Sequence, residues 1–255
     1  MIFFNFRKFK LDFIIIGAQK AGTSALDQYL RQHPKIEMAA RKELHFFDND
    51  TLFRKDKMDY SIIGNAFPKF KKKKYIYGES TPSYIYWNFA IQRIKNYNPK
   101  IKLIAVLRNP TERAFSHWNM EASRNLENRS FKECIDEEIR LIKRGEKEQH
   151  KVKSYVERGL YSNQIEEIYS HFSRNQIFFV KYENFLENQK SVIQEVFTFL
   201  DLNSNIEEFN PVVSNKIPYS RIMEEEEKNI LLSFFRNEII EVEKLLNWNC
   251  NDWKN

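Results

Sequence analysis

Short, nearly continuous apolar runs alternate along the chain with stretches in which apolar residues recur every three or four positions. The runs are Leu11–Ile16, "KIEMA" at 35–39, "KYIYGES" at 74–80, "IKLIAVL" at 101–107 and "QIFFVKYE" at 176–183. Runs of this length, bounded by turn formers, read as strands, and one without polar alternation reads as a strand buried on both faces. The run at 101–107 is the most continuous and is expected in mid-sheet. Between the runs, the spacing predicts helices over Ala21–Gln32, Trp87–Tyr97, 130–143, 160–172, 184–200 and 223–246. Prolines stop the first two, at His33–Pro34 and at Pro99, and a turn is expected at Thr81–Pro82. Strands alternating with helices imply an α/β fold with a central parallel sheet flanked by helices. Ligands of such sheets bind beyond the carboxyl ends of the strands.

Two anion-binding candidates fall on that edge. The stretch "FIIIGAQKAGTSAL", 13–26, is a strand, a glycine-containing loop and a helix start, the geometry of a phosphate cradle. The nucleoside-triphosphate version, G-x-x-x-x-G-K-[ST], places lysine directly after the second glycine. Here Thr23 and Ser24 follow Gly22, and Lys20 lies inside the loop. In isolation such a lysine reads as an exposed loop residue; beside a helix opening on two hydroxyls it reads as a ligand for a phosphate-like group. No strand ends in a clear acidic magnesium ligand, so the loop suits an anionic group that reacts without Mg²⁺. The second candidate, "RNPTERAFSHW", follows the central strand. Asn109 suits an N-cap, Pro110 the first helical position and Glu112 a capping box, which puts Arg108 at the strand's carboxyl end. An Arg108 fork and the Ser116 hydroxyl fit a phosphate; the plainer alternative is an Arg108–Glu112 pair and a buried serine.

A third stretch, "RKELHFFD" at 41–48, is expected to be extended, with Glu43 and His45 on one face and Phe46 and Phe47 packing beside them. Glu43 is then a candidate general base, its basicity tuned by partial burial and nearby cations. The plainer alternative is a surface acid and a histidine at the core's edge.

Composition narrows the classes. With 255 residues, 42% of them hydrophobic, the chain can bury one large core, so a single domain over 1–255 is expected. Glycine is scarce, at 6 residues, and there is no repeat or low-complexity tract, which excludes fibrous and disordered classes. A net charge of +6 fits an anionic ligand, but no nucleic-acid signature is present. The run "KFKKKK", Lys69–Lys74, reads as a solvated loop before a strand. Cys134 and Cys250 have no metal-type spacing, so reduced thiols are expected. The apolar N-terminus is broken by Arg7, Lys8, Lys10 and Asp12, lacks a signal-peptide h-region, and no later segment is long enough to span a bilayer. A cytoplasmic protein is the expectation.

Taken together, "GAQKAGTSAL", "KELHFFD", "GESTPSY" and "LRNPTERAFSHW" resemble, in order and spacing, the sulfotransferases that use 3′-phosphoadenosine 5′-phosphosulfate (PAPS), nearest the heparan-sulfate-type branch. Weaker echoes are "RGLYSNQIEEIYSHF", "FFVKYENFLEN", "FTFLDL" and "LLNW", so the resemblance covers most of the chain. It implies that the P-loop-like loop Lys20, Ala21, Gly22, Thr23 and Ser24 holds the 5′-phosphosulfate, with Lys20 assisting the bridging oxygen as the S–O bond breaks. Arg108 and Ser116 would bind the 3′-phosphate, and Tyr161, Lys216, Ser220 and Arg221 would complete the nucleotide site. Glu43 would deprotonate the acceptor hydroxyl in a pocket lined by His45, Asp48 and Ser80. The implied acceptor is a hydroxyl, with an amine as the lesser alternative, of a saccharide or small metabolite, the product nucleotide is adenosine 3′,5′-bisphosphate, and no metal is required. Two departures bear on the acceptor: Ser80 stands where heparan-type enzymes often carry lysine, and "SNKIPYSR" at 214–221 lacks their cysteine-bearing loop. The rival readings are a P-loop nucleotide kinase and a non-catalytic adenine-nucleotide or polyanion-binding module.

Overall fold

The computed structural model describes residues 9–54, 58–67, 75–146, 148–203, 209–212 and 218–255. Its strands are β1 (Phe13–Gly17), β2 (Ile36–Met38), β3 (Ile76–Ser80), β4 (Lys102–Leu107) and β5 (Ile177–Lys181). They form one sheet in the order β2-β3-β1-β4-β5, with every pairing parallel. β1 and β4 are the middle of the sheet and pair in register from Phe13↔Lys102 to Ile15↔Ile104 before the register shifts towards Gly17. All of β1, and all of β4 except Lys102, are buried, as their continuous apolar sequences require. Ile104 and Leu103 are fully buried there, and truncating such a residue to alanine typically costs about 2–5 kcal/mol.

The helices are α1 (Thr23–Gln32), α2 (Ala90–Tyr97), α3 (Pro110–Ser123), α4 (Phe131–Arg144), α5 (Tyr161–His171), α6 (Tyr182–Glu187), α7 (Gln189–Phe199) and α8 (Glu225–Leu246). α5 packs against α2 and α8, and α8 also packs against α3 and α4. The C-terminal Trp253 is fully buried and donates its indole N–H to Glu183 (2.9 Å), whose other oxygen accepts the Asn109 N–H (3.0 Å). The end of the chain thereby braces the start of α3.

Several boundaries differ from the sequence expectation for local reasons. α1 begins at Thr23 rather than Ala21, because Gly22 has left-handed backbone (φ 87°). α2 begins at Ala90 because Phe89 is also left-handed (φ 64°). β5 stops at Lys181, since Tyr182 already opens α6, and the helix expected over 184–200 is interrupted at Asn188. Asn109 caps α3 through the Thr111 N–H (3.0 Å) with Pro110 in the first turn. Glu112, however, pairs with Arg108 instead of completing a capping box. The "KFKKKK" run lies outside the described residues.

Candidate active site

At the carboxyl edge of the sheet, β1 ends at Gly17 and the chain crosses to α1 through a loop in which Lys20 (φ 70°) and Gly22 (φ 87°) are left-handed. A Cβ on Gly22 would sit 2.7 Å from the Tyr182 ring, so glycine is required by conformation and by space. Ala21 closes the loop through its N–H to the Ala18 carbonyl (3.1 Å), and Thr23 and Ser24 form the first turn of α1. That turn has no side-chain cap and no acidic residue, which leaves the helix's positive end unneutralised.

Cations crowd around it. The Lys20 amine is pushed down to about 8, first by burial and then by Arg108, Arg124 and Lys42, with Glu121 opposing. The Arg108 guanidinium donates to the Lys20 carbonyl (3.3 Å), lies 3.5 Å from Glu112 and stacks 5.0 Å over the Tyr182 ring. The pair with Glu112 is the plainer of the two readings of Arg108, and the guanidinium contacts the lysine loop as well. Tyr161 is fully buried and donates its hydroxyl to the Arg108 carbonyl (2.9 Å), while Ser116 is buried two turns along α3.

The more distal nucleotide candidates divide. Ser220 lies against α3, where its N–H and hydroxyl share Asn119 Oδ1 (3.1 and 3.3 Å). Arg221 stacks over Phe115 and Trp118, but its guanidinium is gripped at both nitrogens by the buried Glu227 (2.8 and 2.5 Å). Lys216 lies outside the described residues. Sequence reasoning passed over Arg158, which donates to Gln19 of the lysine loop (2.9 Å) and to the carbonyls of His150 and Lys151. It also missed Lys42 and Arg124. Their only signal was the excess of basic residues.

The 41–48 stretch corrects the sequence reading. It is not extended, because Glu43 (φ 62°) and His45 (φ 52°) are both left-handed. The two side chains still meet, with His45 Nε2 3.7 Å from Glu43 Oε2 and its Nδ1 2.8 Å from Asp48 Oδ2. Such backbone is costly for residues other than glycine and concentrates at functional sites. His45, flanked by the two carboxylates, is raised to about 9, by its hydrogen bond to Asp48 and then by the facing Glu43 carboxylate, against burial. Glu43 is held down at about 2, chiefly by the His45 ring facing it, with Lys42 (3.1 Å) adding to it and burial opposing. Burial pushes Asp48 up, but the hydrogen bonds from His45 and Ser83 outweigh it and leave it below the usual carboxylate value. Phe46 and Phe47 are buried and donate their N–H groups to the Tyr84 hydroxyl (2.9 and 3.4 Å). Ser80 is buried, its carbonyl accepts the Glu43 N–H (2.8 Å), and its hydroxyl has no partner among the described residues. Next to it Glu79 is fully buried and pushed up to about 8 by desolvation, despite the Thr81 hydroxyl (2.7 Å).

A parallel α/β sheet whose carboxyl edge carries a glycine-containing lysine loop leading into a helix, with a cluster of cations around it, defines a P-loop-like fold. Comparison with known proteins narrows this class. The sulfotransferase domain profile matches residues 10–218, and the chain belongs to the sulfotransferase family. Mouse heparan sulfate glucosamine 3-O-sulfotransferase 3B1 is 32% identical over 189 residues, which are 74% of this chain and 45% of that protein. The membrane-associated sulfotransferase kil1 of Dictyostelium discoideum is 24% identical over 320 aligned positions, covering 96% of this chain and 66% of that one. A crystal structure of a sulfotransferase from Alicyclobacillus acidocaldarius superposes with a TM-score of 0.80 at 27% identity, over 97% of this chain and 100% of that one. The chain thus spans less than half the length of the mouse relative.

These relatives overturn the expectation of a cytoplasmic protein. One is by name membrane-associated and matches nearly the whole chain, and others are by name heparan sulfate enzymes. Among the described residues no helix is long and apolar enough to cross a membrane. That property of a catalytic fold does not fix a compartment, which is why the sequence reading failed.

Proposed function

We propose that the chain transfers a sulfuryl group from PAPS to a hydroxyl of a saccharide, with residues 1–255 forming one sulfotransferase domain. The observation that carries this reading is the meeting of Lys20 and Arg108 on the sheet edge, where the arginine contacts the lysine loop directly (3.3 Å). A cluster of fixed cations with a depressed amine gains from any ligand that brings phosphate and sulfate charge together. The loop from Lys20 to Ser24 and the α1 N-terminus take the 5′-phosphosulfate; Arg108 and Ser116 take the 3′-phosphate. Ser220 and Tyr161 bound the nucleotide site. Arg221 joins them only by exchanging Glu227 for the ligand.

In the reaction the acceptor oxygen attacks sulfur as its proton passes to Glu43, and the bond from sulfur to the bridging oxygen breaks. Negative charge grows on that leaving oxygen, where the Lys20 ammonium stabilises it more than in the ground state. Adenosine 3′,5′-bisphosphate departs with the electron pair. His45 and Asp48 hold the acceptor side, and Ser80 forms its floor. Lys20 and Arg108 supply the positive charge, so the reading needs no metal and predicts full turnover in the presence of a chelator. Thermal shift tests the nucleotide half. Adenosine 3′,5′-bisphosphate should raise the unfolding midpoint by mass action, and adenosine 5′-monophosphate should do so far less. Equal shifts remove the 3′-phosphate site from the reading.

A further inference from the structure

The 41–48 segment is an irregular loop with two left-handed residues, so its side chains need support from outside it. The turn after β3 supplies that support. The Ser80 carbonyl and the Tyr84 hydroxyl hold backbone N–H groups of Glu43, Phe46 and Phe47. Ser83 instead holds a side chain, donating its hydroxyl to Asp48 Oδ2 at 2.6 Å. The same oxygen meets His45 Nδ1 at 2.8 Å, and the opposite ring nitrogen faces Glu43. Asp48 is buried, and among the described residues its Oδ1 has no partner. Apart from its own backbone N–H, its orientation depends on the ring and on Ser83.

We propose that Ser83 is a positioning residue for the transfer: its hydroxyl pins Asp48, Asp48 pins the His45 ring, and the ring aims Glu43 at the acceptor hydroxyl. This rests on the reading of Glu43 as the base and adds a residue that never touches substrate. The charged groups around the ring are Glu43 and Asp48, with Lys42 on Glu43 and the buried Glu79 near Asp48. A protonated ring donates to Asp48 and turns its second N–H towards Glu43, 3.7 Å away. A neutral ring that keeps its Nδ1–H on Asp48 turns a lone pair towards Glu43 and releases it. The raised basicity of His45 fits a ring held in the doubly protonated form.

The test compares Ser83→Ala and Ser83→Thr with wild type by kcat, by donor KM and by an NMR titration of the His45 ring. The alanine variant should lose about ten- to a hundredfold in kcat, the scale of small misplacements near the chemistry, with donor KM unchanged. Its His45 titration should fall towards the ordinary imidazole range, and threonine should restore both. If alanine prevents folding, Ser83→Cys keeps the shape with a weaker donor and should fall in the same direction. A wild-type kcat with an unmoved His45 titration overturns the proposal. So does a loss of kcat that leaves the titration unmoved and is not rescued by threonine. A wild-type protein that transfers no sulfuryl group overturns the functional reading instead, and the titration still reports whether Ser83 holds the ring.

Discussion

The lysine loop after β1 and the 41–48 segment both place key residues in left-handed backbone, Lys20 and Gly22 in one, Glu43 and His45 in the other. They are held in different ways. The lysine loop is fixed by regular structure: a buried central strand before it, a helix after it, and the next strand end delivering Arg108 to its carbonyl. The 41–48 segment has no regular structure and is fixed by side chains and carbonyls of the turn at 80–84. Their charges also differ. On the donor side Lys20, Arg108 and Arg124 outnumber the carboxylates of Glu112 and Glu121, and Lys20 is pushed down to about 8 by burial first and by Arg108 next. The acceptor side is internally neutralised, with His45 between two carboxylates. The donor side therefore gains most from a ligand, while the acceptor side is already arranged and must only be addressed by a hydroxyl.

The sharpest way to separate the halves is Glu43→Gln. It keeps shape and hydrogen-bonding reach but cannot accept the proton, so turnover should fall about 10²–10⁴-fold while bisphosphate binding stays near wild type. His45→Ala is the control: if the glutamine variant keeps its turnover and the histidine variant loses it, the base is His45. Lys20→Ala should lower kcat by about 10²–10³-fold, the scale for one charge-stabilising donor, with a smaller loss of donor affinity. A pure affinity loss at unchanged kcat would place Lys20 in ground-state binding alone. Arg108→Ala should weaken the bisphosphate by about 1.5–3 kcal/mol, the range for hydrogen bonds to charged groups, as read by calorimetry. Wild-type affinity in that variant would leave Arg108 to its pair with Glu112.

The smallest effect concerns pH. Below about 8 the free Lys20 amine is charged, and a bound anion raises that value further. Bisphosphate affinity should thus be fully present below pH 8 and decline as the pH rises through 8 towards the value in the complex, by less than about tenfold for a single coupled proton at moderate shift. Affinity flat from pH 7 to 9.5 would mean that the amine does not face the ligand. On the acceptor side two groups contribute to stability in opposite senses. His45, raised to about 9, contributes stability that is complete below the ordinary imidazole value and disappears as the pH rises through 9. Glu43, lowered to about 2, contributes stability that is complete above the ordinary carboxylate value and is lost only as the pH falls through 2.

The difference between the halves also explains what the sequence could show. Period and punctuation located β1, β4 and the start of α3, and α1 to within two residues, because those features are local: an apolar run, a glycine, an Asn-Pro cap. Lys20 and Arg108 followed, since the parallel topology puts strand ends on one edge. The extended reading of 41–48 failed because its backbone is set by contacts with a turn some forty residues away. Two-residue spacing brought Glu43 and His45 together for a reason other than the one expected. The same non-local origin hid Arg158 and Ser83, whose partners, Gln19 and Asp48, lie far off in sequence. A surface charge count pointed to the anion but could not distinguish Arg221, which is paired with Glu227, from Arg108, which meets the loop.

The central claim is that the two halves act together to move a sulfuryl group from a 3′-phosphorylated donor to a sugar hydroxyl. Incubating the protein with ³⁵S-labelled PAPS and a panel of saccharides, in chelator, tests it most directly. Label should appear as a sulfate ester on a saccharide oxygen, with adenosine 3′,5′-bisphosphate released in equal amount and transfer by Glu43→Gln slowed at least about a hundredfold. Label that stays on the donor across the panel, while γ-labelled ATP phosphorylates an acceptor once Mg²⁺ is added, would contradict the account.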